Sequence, residues 1–124
     1  MNLTRLLLIH AIVTGAAGVV LIGAPKLIPG VVGIQLPVSA YLISYLLGAA
    51  EVSLAVLSYL STKLSDQQAL RVVCLTFVVF HGLTALVEVY AFVQRARAQV
   101  WVNVLVRVVV VGAFIYYGFG RKCN

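Results

Sequence analysis

Four long apolar stretches, separated by short polar or proline-containing connections, set the pattern of this chain. We place them at residues 6–24, 38–60, 70–93 and 100–119, each long enough for a helix to cross a bilayer core about 30 Å thick. A helix satisfies its own backbone hydrogen bonds, so it is the form that such stretches take in lipid. The pattern predicts an all-α fold, an integral membrane four-helix bundle of up-down topology, with residues 1–124 as a single transmembrane domain.

The three connections differ in character. Residues 26–37 are apolar and broken by prolines and glycines, and we expect them to lie in the membrane interface or to fold back on the bundle. Residues 61–71 are clearly polar, and Ser65, with a glutamine three residues later, fits a capping box for a helix that begins near Asp66. Residues 94–99 form a short basic turn.

Composition makes a water-soluble fold implausible. The chain is 63% hydrophobic and 10% charged, with a mean hydropathy of +1.10. Soluble domains are roughly 45–50% apolar and about 25% charged, and a fold of 124 residues has too little interior to hide this much apolar surface.

The net charge of +6 does not indicate nucleic-acid binding. All basic residues except Arg107 lie at the ends of apolar stretches, where they interact with lipid headgroups and set topology. Four spans put both termini on one side, together with Arg5, Lys63, Arg71, Arg121 and Lys122, against Lys26, Arg95 and Arg97 on the other. The bias predicts cytoplasmic termini. We expect the membrane to be the plasma (inner) membrane.

Polar residues inside the apolar stretches are the candidate site. Two of the three acidic residues, Glu51 and Glu88, fall there, with His81 and Arg107. A charge at the bilayer midplane costs about 2.5–3.5 kcal/mol, so it has a partner or a task. Helical spacing groups small and polar residues into one stripe per helix: His10, Thr14 and Gly18; Ser44, Gly48, Glu51, Ala55 and Ser58; Cys74, His81, Thr84 and Glu88; Gln99, Asn103 and Arg107.

The stripes predict a central cluster. Counting the rise per residue from the flanking basic residues puts Glu51, His81 and Arg107 near the midplane, with Glu88 within reach of the arginine. His10, Thr84 and Asn103 are secondary members: His10 lies nearer the inner face, and the other two share the stripes of the cluster.

The cluster has several interpretations. One interpretation is a structural ion pair with hydrogen-bonded core histidines. The others are a proton relay and a site for the polar head of a lipid or quinone. A haem held by His10 and His81 is disfavoured, because their depths differ by roughly 7 Å. Cys74 and Cys123 show no metal-ligand spacing; we interpret the first as a core residue and the second as a free thiol.

Three sequence features suggest a family: Gly23-Ala24-Pro25-Lys26 at the end of the first stretch, Leu36-Pro37 at the end of the connection, and Leu47-Gly48-Ala49-Ala50-Glu51 in the second stretch. In these features the first half of the chain resembles the DoxX-like family of small four-helix membrane proteins. The resemblance implies a membrane subunit or partner of an oxidoreductase, in some members linked to sulfur-compound or quinone chemistry.

The sequence contains no GxSxG, HExxH or other nucleophile motif, so we favour a protein without catalytic activity. We expect a small multi-pass membrane protein that binds a partner protein, a lipid or a quinone, as a homo-oligomer or with a membrane-protein partner. The alternatives are a transporter or proton-conducting oligomer, and an intramembrane enzyme that acts on an apolar substrate.

Overall fold

The computed structural model describes residues 2–93 and 100–120. Within these residues all regular secondary structure is helical: α1 (Leu3–Gly23), α2 (Leu27–Val31), α3 (Tyr41–Ser61), α4 (Gln67–Val93) and α5 (Val100–Ile115). A single 3₁₀ turn, Val38–Ala40, leads into α3, and a π-helical turn, Tyr116–Gly120, continues α5. The predicted basic turn at 94–99, Gln99 of the fourth stripe, and Cys123 lie outside the described residues.

Four of the helical segments are long and apolar enough to cross a membrane. They are Leu3–Gly23, Val38–Ser61, Gln67–Val93 and Val100–Gly120. Their bounds lie within three residues of the predicted stretches, so the all-α prediction and the number of spanning-length helices are confirmed. Insertion into a bilayer and the up-down order of all four helices remain predictions.

Two helices begin at side chains that accept hydrogen bonds from the first turn. The Asn2 side chain accepts from the Arg5 N–H at 3.0 Å, and Asp66 accepts from the Gln68 N–H at 2.9 Å. The cap of α4 is therefore Asp66, and the predicted capping box at Ser65 is wrong by one residue. A carboxylate at this position also complements the positive end of the helix dipole.

Contacts between residues divide the chain into two compact units. One unit is Leu7–Thr62, which contains most of α1 together with α2 and α3. The other consists of Met1–Leu6 and Lys63–Asn124, which contains α4 and α5. The single transmembrane domain remains a prediction.

In the Leu7–Thr62 unit, α1 and α3 run antiparallel and approach closely at glycines. A Cβ on Gly18 would lie 2.8 Å from the carbonyl oxygen of Gly48, and a Cβ on Gly48 would lie 2.8 Å from that of Gly18. Small residues at a helix crossing allow this backbone approach and the van der Waals contact that comes with it.

The buried residues of this unit follow the predicted stripes. The buried set of α3 contains all five predicted positions, Ser44, Gly48, Glu51, Ala55 and Ser58. The α1 stripe of His10, Thr14 and Gly18 is buried as well. Both stripes are confirmed as the buried faces of their helices.

In the other unit, α4 and α5 also run antiparallel. The rings of Phe77 and Phe114 stand 5.0 Å apart and are fully buried. In the π-helical turn that continues α5, Gly118 lies so close to Cys74 that a Cβ on the glycine would stand 2.8 Å from the cysteine Cβ. Cys74 is fully buried, so its predicted place in the core is confirmed.

Candidate functional site

Four polar side chains meet between α4 and α5, and we call them the polar cluster: His81, Glu88, Asn103 and Arg107. His81 and Glu88 are seven residues apart on α4, and Asn103 and Arg107 are four apart on α5. Both spacings return a helix to nearly the same face, which is why the two stripes can meet.

Arg107 is the centre of the polar cluster. Its Nε donates to Oε1 of Glu88 at 3.0 Å, and its Nη1 donates to Nδ1 of His81 at 3.2 Å. Asn103 Nδ2 donates to the same glutamate oxygen. The side chains of Arg107 and Glu88 are 13% and 17% exposed, so the pair is mostly shielded by protein.

The hydrogen bonds define donor and acceptor roles in the polar cluster. A guanidinium group only donates, so His81 Nδ1 accepts, and in a neutral ring the hydrogen then lies on Nε2. Oε1 of Glu88 accepts two hydrogen bonds. In the ion pair the charges of Glu88 and Arg107 offset each other, which lowers the cost of keeping the cluster away from water.

One carboxylate oxygen of the polar cluster takes no part in these hydrogen bonds. Oε2 of Glu88 is buried and has no hydrogen-bond partner among the described residues. Buried carboxylate oxygens normally accept at least one hydrogen bond, so this atom is the least satisfied point of the site.

The predicted residues outside the polar cluster have different surroundings. Glu51 is buried at 7% exposure in the Leu7–Thr62 unit, and its predicted meeting with His81 and Arg107 remains a prediction. His10 lies in the same unit, with Nδ1 3.2 Å from the Ser58 hydroxyl. The Thr84 hydroxyl donates to the carbonyl of Phe80, one turn earlier in its own helix.

An apolar groove runs along α4 and α5 in the same unit. It has a volume of about 360 Å³. Its lining is aliphatic or glycine throughout: Gly82, Ala85, Leu86, Val89, Val104, Val108 and Val111. Several lining residues directly follow members of the polar cluster in sequence, as Gly82 follows His81 and Val108 follows Arg107.

Sequence reasoning did not predict this groove. Its clearest signal is Gly82, the one glycine in α4, because an isolated glycine within a helix usually has a packing or functional reason. A Cβ added at Gly82 would meet nothing within 4 Å, so the glycine leaves space along the helix.

The polar cluster and the lining of the groove consist of different residues. The members of the polar cluster bond to one another, and none of them is among the described residues that line the groove. No group of three or more His, Cys, Asp or Glu residues within 2–93 and 100–120 is placed to hold a metal ion.

Comparison with protein-family models, curated proteins and solved structures finds no match to the chain. The coarse class therefore follows from the helices themselves, and four apolar helices of spanning length are consistent with a small membrane protein.

Proposed function

We propose that this chain is an integral membrane protein that crosses the bilayer four times and binds the hydrocarbon chain of a lipid or quinone without catalysing a reaction. The α4–α5 groove is the observation that carries the proposal. The protein acts in this way either by itself or as the binding subunit of a larger membrane complex.

The groove favours a hydrocarbon occupant through its lining and its size. All seven lining residues are aliphatic or glycine, so a polar ligand would find no hydrogen-bond partner among them. Its volume of about 360 Å³ falls within the roughly 300–1,000 Å³ of small-molecule sites. Inside a bilayer, acyl and isoprenoid chains are the abundant molecules of this chemistry.

The polar cluster supports the groove by holding its two walls. Arg107 on α5 binds both His81 and Glu88 on α4, and these interhelical bonds fix the register of the two helices. A fixed register keeps the groove formed before its occupant arrives, which reduces the ordering cost of binding.

Catalysis receives less support from the same geometry. An intramembrane enzyme would need its acid or base directed at the substrate. The carboxylate and imidazole of the α4–α5 unit are instead engaged with Arg107, and the groove beside them is lined by hydrocarbon.

The test is native mass spectrometry of the detergent-purified protein, combined with solvent extraction and an absorption spectrum of the extract. The proposal expects one lipid or quinone per chain to persist after detergent washing. Gly82→Leu fills the groove and should remove this molecule. Gly112→Leu is the matched control, because a Cβ there also meets nothing within 4 Å and Gly112 lies outside the groove lining.

Three results would count against the proposal. The first is a protein with no retained molecule, and the second is equal retention in the Gly82→Leu and Gly112→Leu variants. The third is a stoichiometric complex with another protein in which the groove holds no small molecule, which would favour a protein-binding subunit.

A second candidate function is a proton-conducting oligomer. It is motivated by the buried Oε2 of Glu88, which has no hydrogen-bond partner within residues 2–93 and 100–120 and can take up a proton. Four helices leave little room for a pathway, so this function needs a dimer or larger assembly. Proteoliposomes should then show proton flux that Glu88→Gln abolishes, and flux equal to that of empty liposomes would remove this candidate.

The basic residues support a topology with both termini in the cytoplasm, in the plasma (inner) membrane. Carboxyl-terminal fusions test it: a fluorescent-protein fusion should fluoresce and an alkaline-phosphatase fusion should be inactive, and the reverse would contradict it. Membership of the DoxX-like family, with a role beside an oxidoreductase, likewise remains a proposal from the resemblance.

A further inference from the structure

The connection between α1 and α3, residues 24–40, carries apolar side chains without burying them. We call it the connecting segment. Neither α2 nor the 3₁₀ turn after it contains a buried residue. Val31 is 70% exposed and Val38 is 74% exposed, and Leu27 and Ile34 are exposed as well.

The composition of the connecting segment does not fit contact with water. Residues 27–40 hold no charged side chain. The connection between α3 and α4 shows the contrast, because residues 62–66 include both Lys63 and Asp66. Exposed hydrophobic residues scattered singly are ordinary, but several of them within one short uncharged stretch indicate an interaction surface.

Part of the backbone of the connecting segment pairs with itself. The N–H of Gly30 donates to the carbonyl of Lys26 at 2.9 Å, and the N–H of Ile34 donates to the carbonyl of Pro29 at 2.8 Å. Gly33 permits this turn with φ of 79°, and its own N–H donates to Gly30. Internal pairing of backbone groups is a requirement for non-helical chain near hydrocarbon.

The two ends of the connecting segment are held close to each other by side-chain contacts. The Ser44 hydroxyl on α3 lies 3.2 Å from the carbonyl oxygens of Leu21 and Pro25, which ties the end of α1 to the start of α3. The Lys26 ammonium lies 5.7 Å from the centre of the Tyr41 ring. Lysine and tyrosine are residues that anchor helix ends at the membrane–water interface.

From these observations we infer that the connecting segment inserts into the boundary between lipid headgroups and acyl chains, so its binding partner is the bilayer itself. The inference rests on the proposed membrane insertion, because α1 and α3 then hold the segment against one membrane surface. Lipid is favoured over a protein partner because residues 27–40 offer no charged side chain that would select one.

Single-tryptophan variants in phospholipid vesicles test this inference. Trp101 is the one tryptophan of the chain, and Trp101→Phe provides the background. Val31→Trp reports on the connecting segment, Leu64→Trp on the polar connection, and Val109→Trp on the exposed face of α5. Each is quenched in turn with aqueous acrylamide, with lipid brominated near the ester bonds, and with lipid brominated near the chain ends.

The tryptophan at position 31 should be quenched most by lipid brominated near the ester bonds, and acrylamide should quench it several-fold less than the tryptophan at 64. The tryptophan at 109 should be quenched by chain-end bromine, which shows that the protein is inserted. If it is, acrylamide quenching at position 31 equal to that at position 64 would overturn the inference. Shielding of position 31 from all quenchers would overturn it in favour of contact with a second protein. Acrylamide access at 109 would overturn membrane insertion itself.

Discussion

Arg107 donates from Nη1 to Nδ1 of His81 at 3.2 Å, and this bond makes the ring an acceptor on that side. His10 has the opposite arrangement. The Ser58 hydroxyl donates its one hydrogen to the carbonyl of Leu7 at 2.8 Å, so it accepts from His10 Nδ1, which lies 3.2 Å away. The two histidines of the chain therefore carry their hydrogens on different nitrogens.

Nitrogen NMR of histidine-labelled protein measures this difference directly. We expect hydrogen on Nδ1 of His10 and on Nε2 of His81. His81→Asn leaves the two nitrogen signals of the His10 ring and so assigns the signals of both rings. The same tautomer at both positions, or a doubly protonated His81, would contradict the hydrogen bonds described for the polar cluster.

The ion pair of the polar cluster should show strong coupling. Glu88→Met and Arg107→Met each leave one charge without its partner, and we expect each to lower the free energy of unfolding by about 1–3 kcal/mol. The double variant removes both charges, so it should be less destabilised than either single variant. Reversible unfolding in sodium dodecyl sulfate, followed by circular dichroism, gives all three values, and additive losses would show that the pair does not act as a unit.

The glycine contact between α1 and α3 should tolerate no added methyl group. Gly18→Ala places a Cβ 2.8 Å from the backbone oxygen of Gly48, and we expect it to cost about 1–3 kcal/mol of stability. Gly112→Ala is the control, because a Cβ there meets nothing within 4 Å. The same unfolding assay measures both, and equal stability of the two variants would argue against the close crossing.

The hydroxyl of Ser58 should matter more than that of Ser53 on the same helix. Ser58 is fully buried and joins His10 to the carbonyl of Leu7, whereas Ser53 is exposed and donates to Ala49 of its own helix. We expect Ser58→Ala to cost about 1 kcal/mol and Ser53→Ala to be close to neutral. Thermal unfolding by circular dichroism compares them, and the opposite order would contradict the contact.

Much of the fold could be predicted from the sequence because charge is scarce in it. The buried face of α3 was predictable, since Ser44, Glu51 and Ser58 are polar residues at helical spacing in a helix that is otherwise mostly apolar. The pairing of Glu88 with Arg107 followed for the same reason, because few ionisable residues lie inside the apolar stretches.

Contacts between particular aliphatic residues could not be predicted from the sequence. Val104 and Val108 line the groove, but α5 contains many valines, and nothing in the sequence separates those at the groove from the others. Asn103 was predicted only as a secondary member of the site, although it binds Glu88 directly. The helix cap was predicted at Ser65 and not at Asp66, because serine also suits the cap position.

Photolabelling of the groove tests the central claim most directly. A phospholipid or quinone analogue with a diazirine in its hydrocarbon chain is irradiated with the protein in vesicles, and the labelled residues are mapped by mass spectrometry. The account predicts that label concentrates at the groove walls, within residues 82–89 and 104–111, and that Gly82→Leu removes it while Gly112→Leu does not. Label spread evenly over the exposed faces of α1, α3, α4 and α5, unchanged by Gly82→Leu, would contradict a binding groove.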